Sequence, residues 1–159
     1  MTEKIAYLEI SPRQTGKTTR LIGFANQLQS EGRTVIFVTN LGENVAKQMP
    51  GVVVLADGEA PPADVDSSNA VWLYDEFDWL KSTEIRAGAY YATTAKKVRQ
   101  LGVDTPANDL LLRLIELNGL HFQRHFWFFG LCPDSWFVEA RANHTPDQFR
   151  ALFLGEFLS

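Results

Sequence analysis

At 159 residues the chain is long enough for one domain with a substantial core, and 45% hydrophobic with 21% charged residues is ordinary for a globular protein. A net charge of −4 argues against a broad, independent grip on nucleic acid, so any DNA contact is expected to be local or shared between subunits. One cysteine, Cys132, excludes an internal disulfide and fits a reducing cytosol; Glu3 and Lys4 argue against a secretory leader, and the uncharged stretch 126–132 is too short to span a membrane.

Residues 4–10 read as a strand whose continuous apolar character suits burial on both faces. After Ser11-Pro12-Arg13-Gln14-Thr15-Gly16, a helix is expected over 17–30, with Leu21, Ile22, Ala25 and Leu28 inward and Gly32 ending it. Residues 34–39 form a second buried strand, 44–49 a short helix stopped by Pro50, and 52–55 a third strand. The Pro-, Asp- and Ser-rich stretch 57–69 is a surface loop within the same domain. A fourth strand, 70–74, runs directly into Asp75-Glu76. Residues 88–94 form a fifth strand ending in Thr93 and Thr94; periodicity alone also allows a helix over 85–100, but two Tyr and two Thr favour strand.

Thr105-Pro106 reads as an N-cap with Pro at the first helical position, opening a helix to Asn118 with Leu110, Leu111, Leu114 and Leu117 inward. Residues 125–131 are the sixth expected strand. Thr145-Pro146-Asp147-Gln148 is a capping box opening a last helix to about Leu154, followed by Gly155. Alternating strands and helices predict an α/β domain with a mainly parallel sheet. Ligands bind such sheets at the carboxyl ends of the strands, where the segments 11–18, 75–76 and 93–94 all fall.

Strand, tight loop ending in Gly16-Lys17-Thr18, then helix is the context of a phosphate-binding P-loop. Its backbone N–H groups and the helix N-terminus attract phosphate; Gly16 permits close approach, Lys17 reaches the β- and γ-phosphates, and Thr18 holds Mg²⁺. The usual pattern opens with Gly where this chain has Ser11, and the plain alternative is an ordinary turn with Lys17 solvated. Asp75 is placed to order Mg²⁺, and the adjacent Glu76 to act as general base for an attacking water; the alternative is a loop starting with acids. Thr93 and Thr94 either report on the γ-phosphate or simply end a strand. Arg13 either neutralises phosphate charge, an effect on the order of 10³-fold or more in rate, or pairs with Asp78 or a helix carboxylate. His121, His125 and His144 lack metal-ligand spacing, Cys132 reads as buried, Trp79, Trp127 and Trp136 as packing rather than base-stacking, and the basic run Lys96-Lys97-Val98-Arg99 as a solvated face, with contact to a nucleic-acid backbone as the alternative.

Arg13-Gln14-Thr15-Gly16-Lys17-Thr18 resembles the Walker A segment of tailed-phage terminase large subunits, the DNA-packaging motors. Tyr74-Asp75-Glu76 is similar to that family's Walker B with its catalytic Glu, and Ala92-Thr93-Thr94 falls where the family keeps a Thr/Ser-rich coupling motif. Gln148-Phe149-Arg150 and Leu154-Gly155-Glu156-Phe157 resemble the segment closing its ATPase domain. The resemblance implies a three-layer P-loop NTPase of the additional-strand, catalytic-glutamate type, using ATP and Mg²⁺. It implies that Ser11, Pro12, Arg13, Gln14, Thr15, Gly16, Lys17, Thr18, Thr19 and Thr94 bind nucleotide, that Thr18 and Asp75 hold the metal, and that Glu76, Lys17 and Arg13 are catalytic. It further implies a ring of subunits or other packaging chains, duplex DNA as a partner, no membrane, and the host cytoplasm. A neighbour's arginine is expected in such rings, with Arg86, Arg99, Arg113, Arg124 and Arg141 as candidates. The family's upstream adenine-holding segment and its nuclease domain have no counterpart in these 159 residues. A nucleotide-binding assembly or regulatory module with little turnover and a small nucleotide kinase are the alternatives.

Overall fold

The computed structural model describes residues 4–126 and 134–159. Strands β1 (Tyr7–Ile10), β2 (Val35–Val38), β3 (Val53–Leu55), β4 (Val71–Asp75) and β5 (Tyr90–Thr93) form one sheet in the order β1-β5-β4-β2-β3. Every pairing is parallel. β2 and β4 are buried along their whole length, as their unbroken apolar runs require of strands covered on both faces. The segment 88–94, for which helix and strand competed, supplies β5, the strand inserted between β1 and β4. Its register places Ala92 between Glu9 and Asp75.

Helix α1 (Lys17–Ser30) lays Leu21, Ile22 and Ala25 against Phe37, Leu73 and Ala92 on one face of the sheet. This is the stripe that its helical spacing predicts. The short α2 (Glu43–Ala46) adds Val45 to the same layer. On the other face, Leu111 and Leu114 of α3 (Leu110–Leu117) pack with Ile10, Ile36, Tyr74 and Tyr91, joined by Ala151 and Phe157. Tyr74 and Tyr91 stack with ring centroids 5.3 Å apart. The result is three layers, helix on sheet on helix, as expected of the α/β class.

α3 starts later than Thr105-Pro106 suggests. Asn108 and Asp109 both donate backbone N–H bonds to the Thr105 carbonyl, forming a separate turn. Asp109 is the actual cap, accepting from the Leu112 N–H at 3.0 Å. The capping box at Thr145 and Gln148 forms as expected and opens α5 (Pro146–Phe149). The chain then widens into a π-helical turn (Arg150–Leu154) closed by left-handed Gly155. Before α5 lies α4 (Asp134–Asn143), which no periodic apolar stripe announced. The expected strand 125–131 falls mainly on residues outside the described ones, as do Trp127, Cys132 and the Trp136 side chain. Among the described residues no helix is long and apolar enough to cross a membrane.

Arg99 corrects the reading of residues 96–99 as a solvated face. Its side chain is 3% exposed and forms a fork on Asp78, with contacts of 2.6 and 2.9 Å, while Nε reaches Asp109 at 3.0 Å. Asp78 therefore pairs with Arg99. The Arg99 backbone also accepts from Ser159 and donates to Phe157, tying the segment after β5 to the C-terminal residues. Replacing one member of a buried ion group leaves the others uncompensated. Arg99→Met is expected to lower unfolding free energy by about 3–5 kcal/mol, measured by urea denaturation at neutral pH; a loss under about 1 kcal/mol would show the network to be loosely held.

Candidate functional site

After β1, the Ser11 N–H donates to the Thr93 carbonyl at 3.1 Å, which keeps the chain on the sheet for one more residue. It then turns sharply, with Gln14 (φ 56°) and Gly16 (φ 86°) in the left-handed region. Alternating left-handed residues aim successive N–H groups inward and make a concavity suited to an anion. At Gly16 a Cβ would be strained by the backbone and would lie 3.1 Å from Arg20 Nη1. Among the described residues no side chain caps the N-terminus of α1, and no acid sits in its first turn. The unpaired N–H groups and the positive dipole end of this helix therefore face the loop.

Lys17 is buried; its Nζ donates to the Pro12 carbonyl at 2.9 Å and lies 3.5 Å from Glu76 Oε1. Burial holds its pKa below the ordinary lysine value, against the pull of Glu76 and Glu9. Across β5, the Asp75 carboxylate accepts from the Thr18 hydroxyl at 3.0 Å and the Thr39 hydroxyl at 2.9 Å. Burial nevertheless raises the Asp75 pKa. Glu76 has φ 54°, an uncommon conformation for a side chain with a Cβ, and accepts from the Thr94 N–H at 3.0 Å. Burial raises its pKa too, opposed chiefly by Lys17. Trp79, expected to be packing, donates its indole N–H to the Thr94 carbonyl at 2.9 Å and keeps its ring partly in solvent.

These groups border a cleft of about 580 Å³ at the carboxyl edge of the sheet. Of the residues singled out in the sequence, the cleft brings together Arg13, Gln14, Lys17, Thr18, Asp75, Glu76 and Thr94, and also Trp79, which was expected only to pack. Thr15, Gly16 and Thr19 shape the loop and first helical turn without bordering it, and Ser11 and Pro12 are buried behind it. Thr39, Asn40, Leu41 and Phe153 line the cleft without having been anticipated. Thr39 was findable, because it is a hydroxyl at the end of an apolar strand, like Thr93.

The other candidate arginines are mostly engaged: Arg86 lies 3.8 Å over Trp72, Arg124 donates to the Leu154 carbonyl, and Arg141 stacks 4.8 Å over Phe149. Arg113 is exposed on α3. His144 Nδ1 lies 2.8 Å from the Ala140 carbonyl and His121 is exposed.

Sequence reasoning missed Glu9. It sits in an apolar strand yet is fully buried, accepting from Tyr7 Oη at 2.7 Å, Ser11 Oγ at 2.8 Å, and Arg20 Nε at 2.8 Å. Arg20 Nη2 makes a second bond, and His125 Nδ1 lies 3.4 Å away.

The fold and site together define a three-layer α/β protein with an all-parallel five-stranded sheet and a loop–helix cleft faced by two acids. No protein-family model, curated protein or solved structure matches the chain.

Two measurements follow from these groups. Thr94 Oγ1 is buried without a hydrogen-bond partner among the described residues. An unsatisfied buried hydroxyl costs about 1–3 kcal/mol, so Thr94→Val is expected to stabilise the protein without nucleotide by about 1 kcal/mol; destabilisation in chemical denaturation would mean that the hydroxyl is paired. Burial alone would raise the Glu9 pKa, but Arg20, Tyr7 and Ser11 together hold it below the ordinary glutamate value. A depressed carboxylate stabilises above its unfolded pKa and loses that contribution as pH falls through the native value. With Tyr7, Arg20, His125 and, at longer range, Lys17 facing it, Glu9→Gln is expected to cost about 1.5–3 kcal/mol at neutral pH, the range for hydrogen bonds to a charged group. That gap should close below the ordinary glutamate range; a gap that is constant with pH would mean that Glu9 is not ionised.

Proposed function

We propose that the chain is a Mg²⁺-dependent ATPase of the terminase type, working with copies of itself or other packaging subunits to move DNA in the host cytoplasm. The observation that carries this reading is the convergence of Lys17, Thr18, Asp75 and Glu76 on one cleft, with β5 inserted between the strand before the loop and the strand before the acids. That arrangement is what the additional-strand, catalytic-glutamate class of P-loop NTPases requires.

The loop N–H groups and α1 receive the phosphates, and Lys17 supplies a cation already stripped of most of its water. The partnerless Thr94 hydroxyl and the uncapped α1 N-terminus are polar groups that a bound phosphate would satisfy. Among the described residues no three His, Cys, Asp or Glu side chains gather. Mg²⁺ does not require such a cage, since it is usually held by one or two carboxylates, phosphate oxygens and several waters. The Thr18 hydroxyl and Asp75 carboxylate would hold it here, where the ion would offset negative charge on the phosphates. Phosphate competes with Glu76 for Lys17, and this frees the carboxylate to take a proton from water. The raised pKa of Glu76 brings it nearer the operating pH, which favours a general base. Arg13 lines the same cleft, and its side chain is exposed.

ATP hydrolysis across a protein-concentration series, with and without duplex DNA, tests the proposal. A low rate per subunit in dilute protein that climbs with concentration is expected. Glu76→Gln should slow turnover by about 10²–10⁴-fold while ATP still binds. Unchanged turnover in that variant removes Glu76 as the base, and nucleotide binding without phosphate release at any concentration would favour a regulatory module over a motor.

A further inference from the structure

We propose that the Glu9–Arg20 ion pair is a clamp holding the phosphate loop in its binding shape before nucleotide arrives; the proposal rests on the nucleotide-binding reading of that loop. Glu9 does not border the cleft. It is a positioning residue, acting through the two ends of the loop. Ahead of the loop, its carboxylate accepts from the Ser11 hydroxyl at 2.8 Å. Behind the loop, it takes a fork of two bonds from Arg20 in the first turn of α1. Arg20 in turn backs the loop's last residue: its N–H donates to the Gly16 carbonyl at 2.9 Å, and its guanidinium lies against Gly16. The Ser11 hydroxyl also accepts from the His125 N–H at 2.9 Å, which fixes the loop start from the far side.

The loop needs such a device. Gln14 holds a left-handed conformation that residues with a Cβ rarely adopt unless their surroundings impose it. Within the loop the Arg13 N–H donates to the Leu152 carbonyl at 2.7 Å and the Pro12 carbonyl accepts from Thr15 Oγ1 and Lys17 Nζ, both at 2.9 Å, bonds that hold the first half of the loop and leave the Gln14 turn to its surroundings. An apolar pair would fill the same space without desolvating a carboxylate, but it would have no direction. A guanidinium–carboxylate fork fixes orientation as well as distance. The clamp also gives a physical reason for Ser11 at a position where the motif usually has Gly: its hydroxyl is the link between Glu9 and the loop start.

The test compares Glu9→Gln, Arg20→Gln, the double variant and Ser11→Ala, the last being small enough to fold if the others do not. Amide order parameters for residues 13–16 are measured by NMR without nucleotide, and ATP affinity by equilibrium titration. Wild-type values near about 0.85 are expected to fall toward about 0.6 in the charge-breaking single variants. If the loop then holds its binding shape about a tenth of the time, ATP Kd rises about tenfold. The double variant should recover part of the loss, because two glutamines pair without an orphaned charge, and Ser11→Ala should show a smaller loss of the same kind. Variants that melt earlier but keep wild-type loop order and ATP affinity would overturn the clamp in favour of a purely stabilising pair. If the wild type binds no ATP, the nucleotide reading falls, and the order parameters alone still decide whether the pair shapes the loop.

Discussion

β5 is hydrogen-bonded to β1 on one side and β4 on the other, so the loop and the two acids stand two strand spacings apart. Neighbouring strands lie about 4.8 Å apart, so that gap is about 10 Å. A lysine side chain reaching from the loop can close it, and Lys17 does so at 3.5 Å from Glu76. Without the inserted strand Asp75 would crowd the loop; with two inserted strands, neither Lys17 nor the Thr18 hydroxyl would reach the acids. The cleft is a consequence of strand order.

That gap is occupied by groups that folding alone would not favour. Asp75 and Glu76 are both pushed toward their neutral forms by burial, and Lys17 likewise from the other sign. Gln14 and Glu76 hold left-handed backbone, and Thr94 buries a hydroxyl with no partner among the described residues. The cost is offset elsewhere: by aliphatic packing under α1 and α3, by the stacked rings of Trp72, Tyr74 and Tyr91, and by Arg99 binding the turn after Glu76 to α3 and the C-terminal residues. Strain gathered at one edge of an otherwise well-packed sheet is the pattern expected of a functional site.

Much of this was legible because it is local. Gly16-Lys17-Thr18 after an apolar run, and Asp75-Glu76 after another, announce themselves through periodicity and adjacency. The choice of strand for residues 88–94 rested on β-branched and aromatic content, and it proved decisive for the sheet order. What stayed hidden depends on distant partners. Glu9 escaped notice in a strand that reads as continuously apolar, because its neutralising Arg20 lies on the next element. Arg99 looked solvated beside two lysines, because its acids stand 21 and 10 residues away. Thr105-Pro106 has the local chemistry of a helix start, but Asp109 is the residue that caps Leu112 and binds Arg99 with its other oxygen.

The same distinction bears on where transition-state positive charge would come from. Arg99 is spent on structure, and Arg86, Arg124 and Arg141 are held against rings or a backbone carbonyl. Moving any of these would break contacts within the chain. Arg113 is exposed, but α3 packs on the sheet through Leu111 and Leu114, so this arginine faces away from that contact. Arg13 differs from all of them, because its backbone is pinned to Leu152 while its side chain stays exposed at the cleft. A pinned backbone beneath a guanidinium that holds no internal bond among the described residues would place a cation beside the phosphates with no contact to surrender. On the proposed reading, therefore, the arginine within the loop is the more economical source of charge inside one subunit, and a neighbour's contribution, if the assembly uses one, falls most simply to Arg113.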